Sequence, residues 1–304
     1  MATLQGQNLR ICVFDTTAEK YKVIGMATGC TVTLTNNTEN SSTKDDVGKA
    51  SKPVTISKAW SLSCDSLSVA DTAAMLTAIK SMTPLTLMFD ETSTVDNQSR
   101  SKAAWARKGQ AYLNDVTFNF NDRENSTKAL QFTGVSALEA IGSSEATEVI
   151  ALGSYTRGQF VRLFVSSDNT AAPSAVIAAA KTLSLHVSLT MESATTKDTT
   201  GEYDVQEPTA ISYDISTGAL VRSGDTITSA VGAKSLSDLE TIYESGTPVK
   251  WKIANVGGDN NRTASSTIVS GSVVLTQLTI NGPNRQNADY TAQFNGYGDF
   301  TVAA

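Results

Sequence analysis

This sequence is poor in the residues from which enzyme and metal sites are built. Histidine occurs once, as His186, and cysteine three times, as Cys12, Cys30 and Cys64, with no Cys-x-x-Cys pair. One histidine and scattered thiols provide neither a Ser/His/Asp arrangement nor a histidine-based metal site. We therefore predict no enzyme activity, no cofactor and no metal. His186 is expected to be a partly exposed strand residue, and the cysteines buried free thiols.

Positive charge and long apolar runs are also scarce. The chain has 24 Lys and Arg against 30 Asp and Glu, for a net charge of −6, and residues 147–304 carry −5 of it. Without a clustered basic stripe, the chain is expected to repel nucleic acid rather than bind it, which suits a conduit. Nothing approaches 18 consecutive apolar residues and the first residues lack a basic and an apolar region, so we predict no membrane span and no signal peptide.

Three smaller patterns allow a functional interpretation, and each has a plainer alternative. An acidic group could hold Ca²⁺ but lacks EF-hand geometry, which favours a solvated loop. Residues 257–261 are rich in Gly, Asp and Asn but lack a phosphate loop's Gly-Lys-Ser/Thr ending, which favours a turn. A basic group around a tryptophan could stack on bases, or be a solvated loop, or meet an acidic neighbour. The acidic group is Asp198, Glu202, Asp204 and Glu207, and the basic group is Arg100, Lys102, Trp105, Arg107 and Lys108.

What the sequence does contain is a repeated segment. Residues 83–134 read Thr-Pro, strand, polar loop, Gly, strand, turn and Gln-Phe-Thr-Gly, and residues 247–296 repeat that order and end in Gln-Phe-Asn-Gly. The offset between the segments is 162 residues from Gly109 to Gly271 and again from Gly134 to Gly296. We interpret this as an internal duplication with two domains, 1–146 and 147–304.

Each half also has the pattern of a long β-hairpin before its helix. Within hairpins predicted over residues 30–64 and 185–216, residues 30–35 and 185–189 alternate apolar and polar side chains, and Trp60 and Leu62 align with Tyr213 and Ile215 at an offset of 153. This alternation predicts strands with one buried and one wet face. The polar runs 36–52 and 190–208 are predicted to be extended hairpin tips.

One helix is predicted in each half. Ser68–Asp71 and Ser235–Asp238 both match the capping-box pattern, and the first is followed by a predicted helix over residues 73–82, which Pro84 prevents from continuing. The capping Ser lies 16 residues before the Pro in the first half and 13 before it in the second, so the first helix is expected to be about a turn longer. The second half also carries an insertion near residues 221–234.

The order strand pair, long hairpin, capped helix, Thr-Pro and two further strands resembles the major tail tube proteins of long-tailed bacteriophages. The resemblance covers nearly the whole chain. It implies a mainly β fold of two tandem tail-tube-like β-sandwich or half-barrel domains, each with one flanking helix. Family members with two fused folds close as trimeric, pseudo-hexameric rings, which is what the duplication implies here.

The resemblance implies a virion structural protein, assembled in the host bacterial cytoplasm, whose stacked rings form the tube for DNA ejection. Its partners would be other copies of itself, a tape-measure protein inside the tube, terminator and distal tail proteins at its ends, and DNA passing through. Two residue sets follow. The ring-stacking candidates lie in the hairpin tips: Asn40, Ser42, Lys44, Asp45, Asp46, Thr196, Lys197, Asp198 and Tyr203. The expected sheet and core anchors are Trp60, Leu62, Tyr213, Ile215, Phe132 and Phe294. The terminal arms 1–8 and 297–304 could also order on docking.

Two alternatives stay open at this point. One keeps the fold and makes the protein a terminator, distal tail or hub ring, present once per tail. The other is a two-domain β-sandwich adhesin or carbohydrate-binding module, which would need exposed aromatic residues on one platform. Trp60, Trp105 and Trp251 lie in different sequence contexts, which disfavours such a platform.

Overall fold

The structure is a computed structural model that describes residues 6–16, 19–45, 50–67, 72–91, 104–141, 147–148, 156–198, 202–221, 232–258 and 262–303. The predicted capping box at 68–71, most of the insertion at 221–234, and Asp46, Arg100 and Lys102 lie outside these residues.

The described residues of the first half form nine strands, one α-helix and a short 3₁₀ turn. They are, in chain order, a 3₁₀ turn (Gly6–Asn8), β1 (Leu9–Asp15), β2 (Lys20–Val23), β3 (Ala27–Asn40), β4 (Pro53–Ser66), α1 (Thr72–Ser81), β5 (Leu85–Glu91), β6 (Arg107–Asn119), β7 (Thr127–Gly134), β8 (Glu139–Ala140) and β9 (Thr147–Glu148).

The second half contributes the same inventory. Its elements are a 3₁₀ turn (Gly158–Phe160), β10 (Val161–Val165), β11 (Ala175–Ile177), β12 (Ala180–Ser193), β13 (Gln206–Leu220), β14 (Ala233–Lys234), α2 (Leu236–Ser245), β15 (Val249–Val256), β16 (Ala264–Asn281), β17 (Asp289–Gly296) and β18 (Thr301–Val302).

The 18 strands of the described residues form one mostly antiparallel sheet, which confirms the predicted mainly β class. Within the first half, β3 pairs with β4, β4 with β7, and β7 with β6, while β6 pairs with β5 and β5 with β1. The second half has the same pairings among β12, β13, β17, β16, β15 and β10.

The pairing registers also recur. Leu34 lies opposite Trp60 and Val187 opposite Tyr213, at an offset of 153 in both strands. Leu113 lies opposite Phe132 and Leu275 opposite Phe294, at an offset of 162. Even the irregularity after that pair recurs, between Leu113 and Asp115 and between Leu275 and Gln277. The residue-by-residue correspondence read from the sequence therefore also relates the two sets of strand pairings.

Some predicted boundaries were wrong. The polar runs 36–52 and 190–208 are not loops throughout, because β3 continues to Asn40, β4 begins at Pro53, β12 continues to Ser193 and β13 begins at Gln206. Most side chains at these strand ends are exposed, so burial imposes little alternation on their sequence. Ladder hydrogen bonds to the neighbouring strand nevertheless satisfy their backbone. The predicted second capping box is confirmed: Ser235 accepts from the N–H of Asp238, and the Asp238 carboxylate accepts from the N–H of Ser235. The described parts of α1 and α2 are both ten residues long.

All six predicted anchors are buried: Trp60, Leu62, Tyr213, Ile215, Phe132 and Phe294. Glycines allow the two largest to lie against the sheet. A Cβ on Gly134 would sit 2.1 Å from the Trp60 ring, and one on Gly296 would sit 2.6 Å from the Tyr213 ring. Trp60 Nε1 donates to the Ser136 carbonyl at 2.7 Å, and the Tyr213 hydroxyl donates to the Ser272 carbonyl at 2.5 Å. The repeated glycines are therefore needed for a close approach of a ring to the backbone.

The described residues include no helix that is long and apolar enough to cross a membrane. The same part of the chain has no group of three or more His, Cys, Asp or Glu side chains placed to hold a metal ion. Cys12 and Cys64 are buried as predicted, whereas Cys30 is only half-buried. Cys30 and Cys64 carry free thiols, with their Sγ atoms 3.3 Å apart across β3 and β4.

Candidate assembly interface

Within the described residues, the strands β6 and β12 pair across the two halves. Residues 115–119 of β6 lie antiparallel to residues 184–188 of β12, from Asp115 opposite Ser188 to Asn119 opposite Ser184. Two backbone hydrogen bonds extend this contact, from Phe120 N–H to the Leu183 carbonyl at 2.8 Å and from Asp122 N–H to the Lys181 carbonyl at 2.7 Å. We call this pairing the closed joint.

The inner face of the closed joint is apolar. Phe118 lies opposite Leu185, and Val116 lies opposite Val187. All four side chains are at most 2% exposed, and they belong to the main hydrophobic cluster, which spans both halves. The two halves therefore share one hydrophobic core across the closed joint. Fully burying a large apolar side chain contributes about 1.5–3 kcal/mol to stability.

The outer face of the closed joint carries a histidine between two carboxylates. His186 Nε2 lies 2.7 Å from Asp115 Oδ2 on β6, and His186 Nδ1 lies 2.8 Å from Asp214 Oδ2 on β13. Burial lowers the pKa of His186, but the hydrogen bonds and charges of the two carboxylates outweigh it, so its pKa is raised above the ordinary value. When it is protonated, the imidazolium donates from both ring nitrogens and links three strands from both halves. We call His186 with Asp115 and Asp214 the clamp.

Helix α1 covers the closed joint from the first half. It packs against β12, β16 and β18 of the second half, and its Ile79 is fully buried. At its end, the Lys80 ammonium lies 2.9 Å from the Asp299 carboxylate and 5.4 Å from the centre of the Phe300 ring. The C-terminal segment is thus held by a helix of the other half.

The second hairpin tip also contacts the first half. Tyr203 and Lys58 form a parallel bridge, in which Asp204 N–H donates to the Lys58 carbonyl at 2.9 Å and Lys58 N–H donates to the Glu202 carbonyl at 2.6 Å. The Lys58 ammonium pairs with the Glu202 carboxylate and lowers its pKa, and Asn37 Nδ2 donates to Asp204 Oδ2 at 2.8 Å. Part of the predicted acidic loop is therefore docked on a lysine and an asparagine of the other hairpin.

The other ring-stacking candidates lie at the exposed hairpin tips. Asn40 Oδ1 accepts from the Ser42 N–H and hydroxyl, and the Ser42 hydroxyl accepts from Lys52 N–H, so the base of the first tip is closed by its own side chains. Lys44 and Asp45 form an exposed turn in the first tip, as Lys197 and Asp198 do in the second. Thr196 lies just before that second turn. The described residues bring the two tips into no shared site, and the stacking role of these residues stays a prediction.

The strand edges equivalent to the closed joint are unpaired. The counterparts of residues 184–188 are residues 31–35 of β3, at the offset of 153, and the counterparts of residues 115–119 are residues 277–281 of β16, at the offset of 162. Residues 31–35 pair with β4 on one side, and residues 277–281 pair with β17 on one side. On their other side, neither stretch pairs with any strand of the described chain. We call these two stretches the open edges.

The open edges expose large apolar side chains and carry no charge. Leu34 is 65% exposed and Ile280 is 50% exposed, whereas their counterparts Val187 and Phe118 are at most 1% exposed. The sequences are Thr-Val-Thr-Leu-Thr and Gln-Leu-Thr-Ile-Asn. Unpaired, uncharged strand edges with exposed apolar residues are templates for pairing with another chain.

Sequence reasoning did not identify Asp115, Asp214 or Lys80 as functional candidates, and it assigned His186 only to a strand. Their contacts join residues 28 to 220 positions apart, so no local pattern reveals them. A weak signal was available in the repeat itself. Asp115 aligns with Gln277, His186 with Thr33 and Asp214 with Ser61, so none of these three ionisable residues is repeated in the other half.

No protein-family model and no curated protein matches this sequence. Among solved structures, the chain is similar to one in the tail of an empty gene transfer agent particle, with a TM-score of 0.36 and 14% identity over 49% of this chain and 99% of the other. A chain of the native gene transfer agent virion gives a TM-score of 0.35 and 14% identity over the same shares of the two chains. The SPP1 tail tube gives 0.34 and 14% identity over 46% of this chain and 75% of the other.

Proposed function

We propose that this protein is a virion structural protein that joins with other copies of itself, edge to edge, into rings that stack as a phage tail tube. The observation that carries the proposal is the closed joint. The chain pairs one edge of its first half with one edge of its second half, and the equivalent edge of each half is open.

A chain built in this way can repeat its own internal contact. We infer that the two halves are copies of one fold, 1–146 and 147–304, so a contact equivalent to the closed joint can form between the β16 edge of one chain and the β3 edge of the next. Such a contact is heterologous, and heterologous contacts close into a ring when the rotation permits. A ring leaves no open strand edge. With two copies per chain, three chains give a pseudo-hexameric ring, as the family resemblance implies.

The hairpin tips support stacking of the rings. The turns at Lys44–Asp45 and at Lys197–Asp198 are exposed, contain opposite charges side by side, and lie at equivalent ends of the two hairpins. We propose that the ring-stacking candidates contact the next ring, and that tape-measure, terminator and distal tail proteins meet the tube inside and at its ends. The net charge of −6 favours free passage of DNA rather than binding. The protein would assemble in the host cytoplasm and reside in the tail.

Electron microscopy of the purified protein, and of particles that contain it, tests this function. We expect stacked rings with threefold symmetry, about sixfold in outline, around an open channel. A single ring that never stacks, present once per particle, would favour the terminator or distal tail alternative. A chain that is monomeric at every concentration and absent from tails would overturn the proposal, and glycan-array binding would favour the adhesin alternative.

A further inference from the structure

We propose that residues 277–281 of one chain pair with residues 31–35 of a second copy in a single defined register, and that helix α2 of the first chain docks in a groove beside that strand. This inference rests on the proposed ring. We call this contact between the open edges of two chains the open joint.

The register follows from the closed joint. Asn119 lies opposite Ser184 and Asp115 lies opposite Ser188. Adding 162 to the β6 numbers and subtracting 153 from the β12 numbers places Asn281 opposite Thr31 and Gln277 opposite Thr35. The offsets are those observed in the pairing registers of the hairpins and of β16 with β17, so no adjustable shift remains.

The side chains fit this register. It places Ile280 opposite Val32 and Leu278 opposite Leu34, where the closed joint has Phe118 opposite Leu185 and Val116 opposite Val187. In each pair an exposed apolar side chain, Ile280 or Leu34, thus meets a half-buried one, Val32 or Leu278, on the inner face. A one-residue slip would instead turn Leu278 and Ile280 to the wet face.

The groove beside β3 is open, whereas the equivalent groove beside β12 is covered by β6 and α1. It is an open, mostly apolar groove lined by Leu9, Val32, Leu34, Phe89, Trp105, Arg107, Leu138 and Tyr203. In the second half, the positions of Val32, Leu34 and Leu138 are taken by Leu185, Val187 and Phe300, which are buried beneath β6 and α1. We call the open version the receiving groove.

Helix α2 presents the side chains that this groove requires. The C-caps of the helices are equivalent: Met82 N–H donates to the Ile79 carbonyl and Gly246 N–H donates to the Tyr243 carbonyl, both from residues with positive φ. Ile79 is fully buried in the closed joint, whereas its counterpart Tyr243 is 51% exposed. We infer that Tyr243 packs beside Trp105 in the receiving groove of the next chain.

The charges on α2 and in the receiving groove are opposite in sign. Glu240 and Glu244 are exposed on α2, and Arg107 lines the receiving groove. Glu244 is the counterpart of Lys80, which pairs with Asp299 at the closed joint. The sign of the helix charge is therefore reversed relative to the closed joint, and the acidic α2 faces Arg107 and Trp105 of the receiving groove.

Disulfide trapping between separate chains tests the register. Four variants are prepared, each with one added cysteine: Thr31→Cys, Thr35→Cys, Gln277→Cys and Asn281→Cys. They are mixed in the four possible pairs of one β3 and one β16 variant, and oxidised during assembly. The three native cysteines are the same in all mixtures, so each single variant alone supplies the background.

The expected result is a covalent dimer in two of the four mixtures. Thr31→Cys with Asn281→Cys and Thr35→Cys with Gln277→Cys bring Cα atoms to about 4.5–5.5 Å, within disulfide range. The crossed mixtures contain the same four variants but leave the cysteines about 14 Å apart. Dimers in the crossed mixtures, or in all four alike, would overturn the register.

A second measurement separates this inference from the proposed function. Tyr243→Lys is expected to prevent ring formation, whereas Val54→Lys, at an apolar side chain of similar exposure outside the joint, is expected to leave rings intact. Rings that form with no cross-link in any mixture, or unaffected by Tyr243→Lys, would overturn the joint and leave the tube function standing. Absence of rings and of cross-links in the unsubstituted chain and in particles would overturn both.

Discussion

The closed joint and the open edges use the same backbone positions with different side chains. At the closed joint, Phe118 and Val187 are buried and His186 is held between Asp115 and Asp214. At the open edges, the positions equivalent to Phe118 and Val187 are exposed. The residues equivalent to Asp115, His186 and Asp214 are the uncharged Gln277, Thr33 and Ser61.

This difference has a physical reason. A linker holds the partners of the closed joint together at high effective concentration, so that joint tolerates the desolvation of charged groups. A contact between separate chains lacks this high effective concentration. Neutral, apolar edges avoid the free-energy cost of desolvating charged groups. The closed joint is therefore specified by a clamp, and the open joint by burial of apolar surface.

The largest expected effect is loss of assembly when an open edge is charged. Leu34→Lys would place an ammonium in the apolar layer of the open joint, where burying an unpaired charge costs several kcal/mol. We expect no rings in electron micrographs and a monomer in analytical ultracentrifugation. Val54→Lys, on the same hairpin and 52% exposed, is the matched control and should still form rings. If the Leu34→Lys variant still forms rings, residues 31–35 do not form the contact between chains.

Truncation of a counterpart pair separates folding from assembly. Phe118→Ala, in the closed joint, should lower the free energy of unfolding by about 3–5 kcal/mol, because it leaves a cavity in the shared core. Ile280→Ala, at the equivalent open position, should leave monomer stability within about 0.5 kcal/mol and weaken ring formation instead. Denaturant unfolding and sedimentation measure the two effects. Equal destabilisation of the monomer by both variants would contradict the comparison.

The contacts of the Trp60 and Tyr213 aromatic rings with glycine test whether the two halves are packed alike. Gly134→Ala and Gly296→Ala each force a methyl group into an aromatic ring, at 2.1 Å for Trp60 and 2.6 Å for Tyr213. Overpacking of this kind costs about 1–3 kcal/mol, and we expect the larger loss for Gly134→Ala. Thermal unfolding measures it. Gly282→Ala, whose Cβ would meet nothing within 4 Å, is the control, and a comparable loss there would disprove the packing argument.

The smallest expected effect is a pH dependence of the free energy of unfolding, and it arises only at the closed joint. Because the pKa of His186 is raised in the folded chain, its contribution is fully present below the unfolded pKa of about 6.5 and is lost as pH rises through the folded pKa. Asp115 and Asp214 are the charged groups that face it, from β6 and β13. About a third of the side chain is exposed, so the contribution is roughly 1 kcal/mol or less.

Chemical denaturation between about pH 5 and 8, for the parent chain and for His186→Asn, measures this contribution. The difference between the two should shrink as pH rises. Thr33→Asn, at the equivalent open position, should show no such trend. A pH-independent difference for His186→Asn would mean that the clamp acts through packing rather than charge.

Much of the secondary structure could be predicted because its signals are local. Alternation in residues 30–35 and 185–189 identified the hairpin cores, and Ser235 with Asp238 identified the start of α2. The ends of the hairpins could not be located, since residues such as Asn36 and Thr190 have no buried face to impose a pattern. The Arg107 end of β6 was likewise missed, because its pairing with Phe89 depends on a distant strand.

The sequence by itself determined the repeat, the mainly β class, the anchors and the scarcity of groups for catalysis, because each of these depends on residue type and spacing along the chain. Only the tertiary structure decided which edges are paired and which are open. Strand partners are chosen by contacts between distant residues, such as Phe118 with Leu185, and the two copies carry nearly the same local pattern. Whether Leu34 or Val187 is covered depends on which half each strand meets, and a linear pattern does not contain that information.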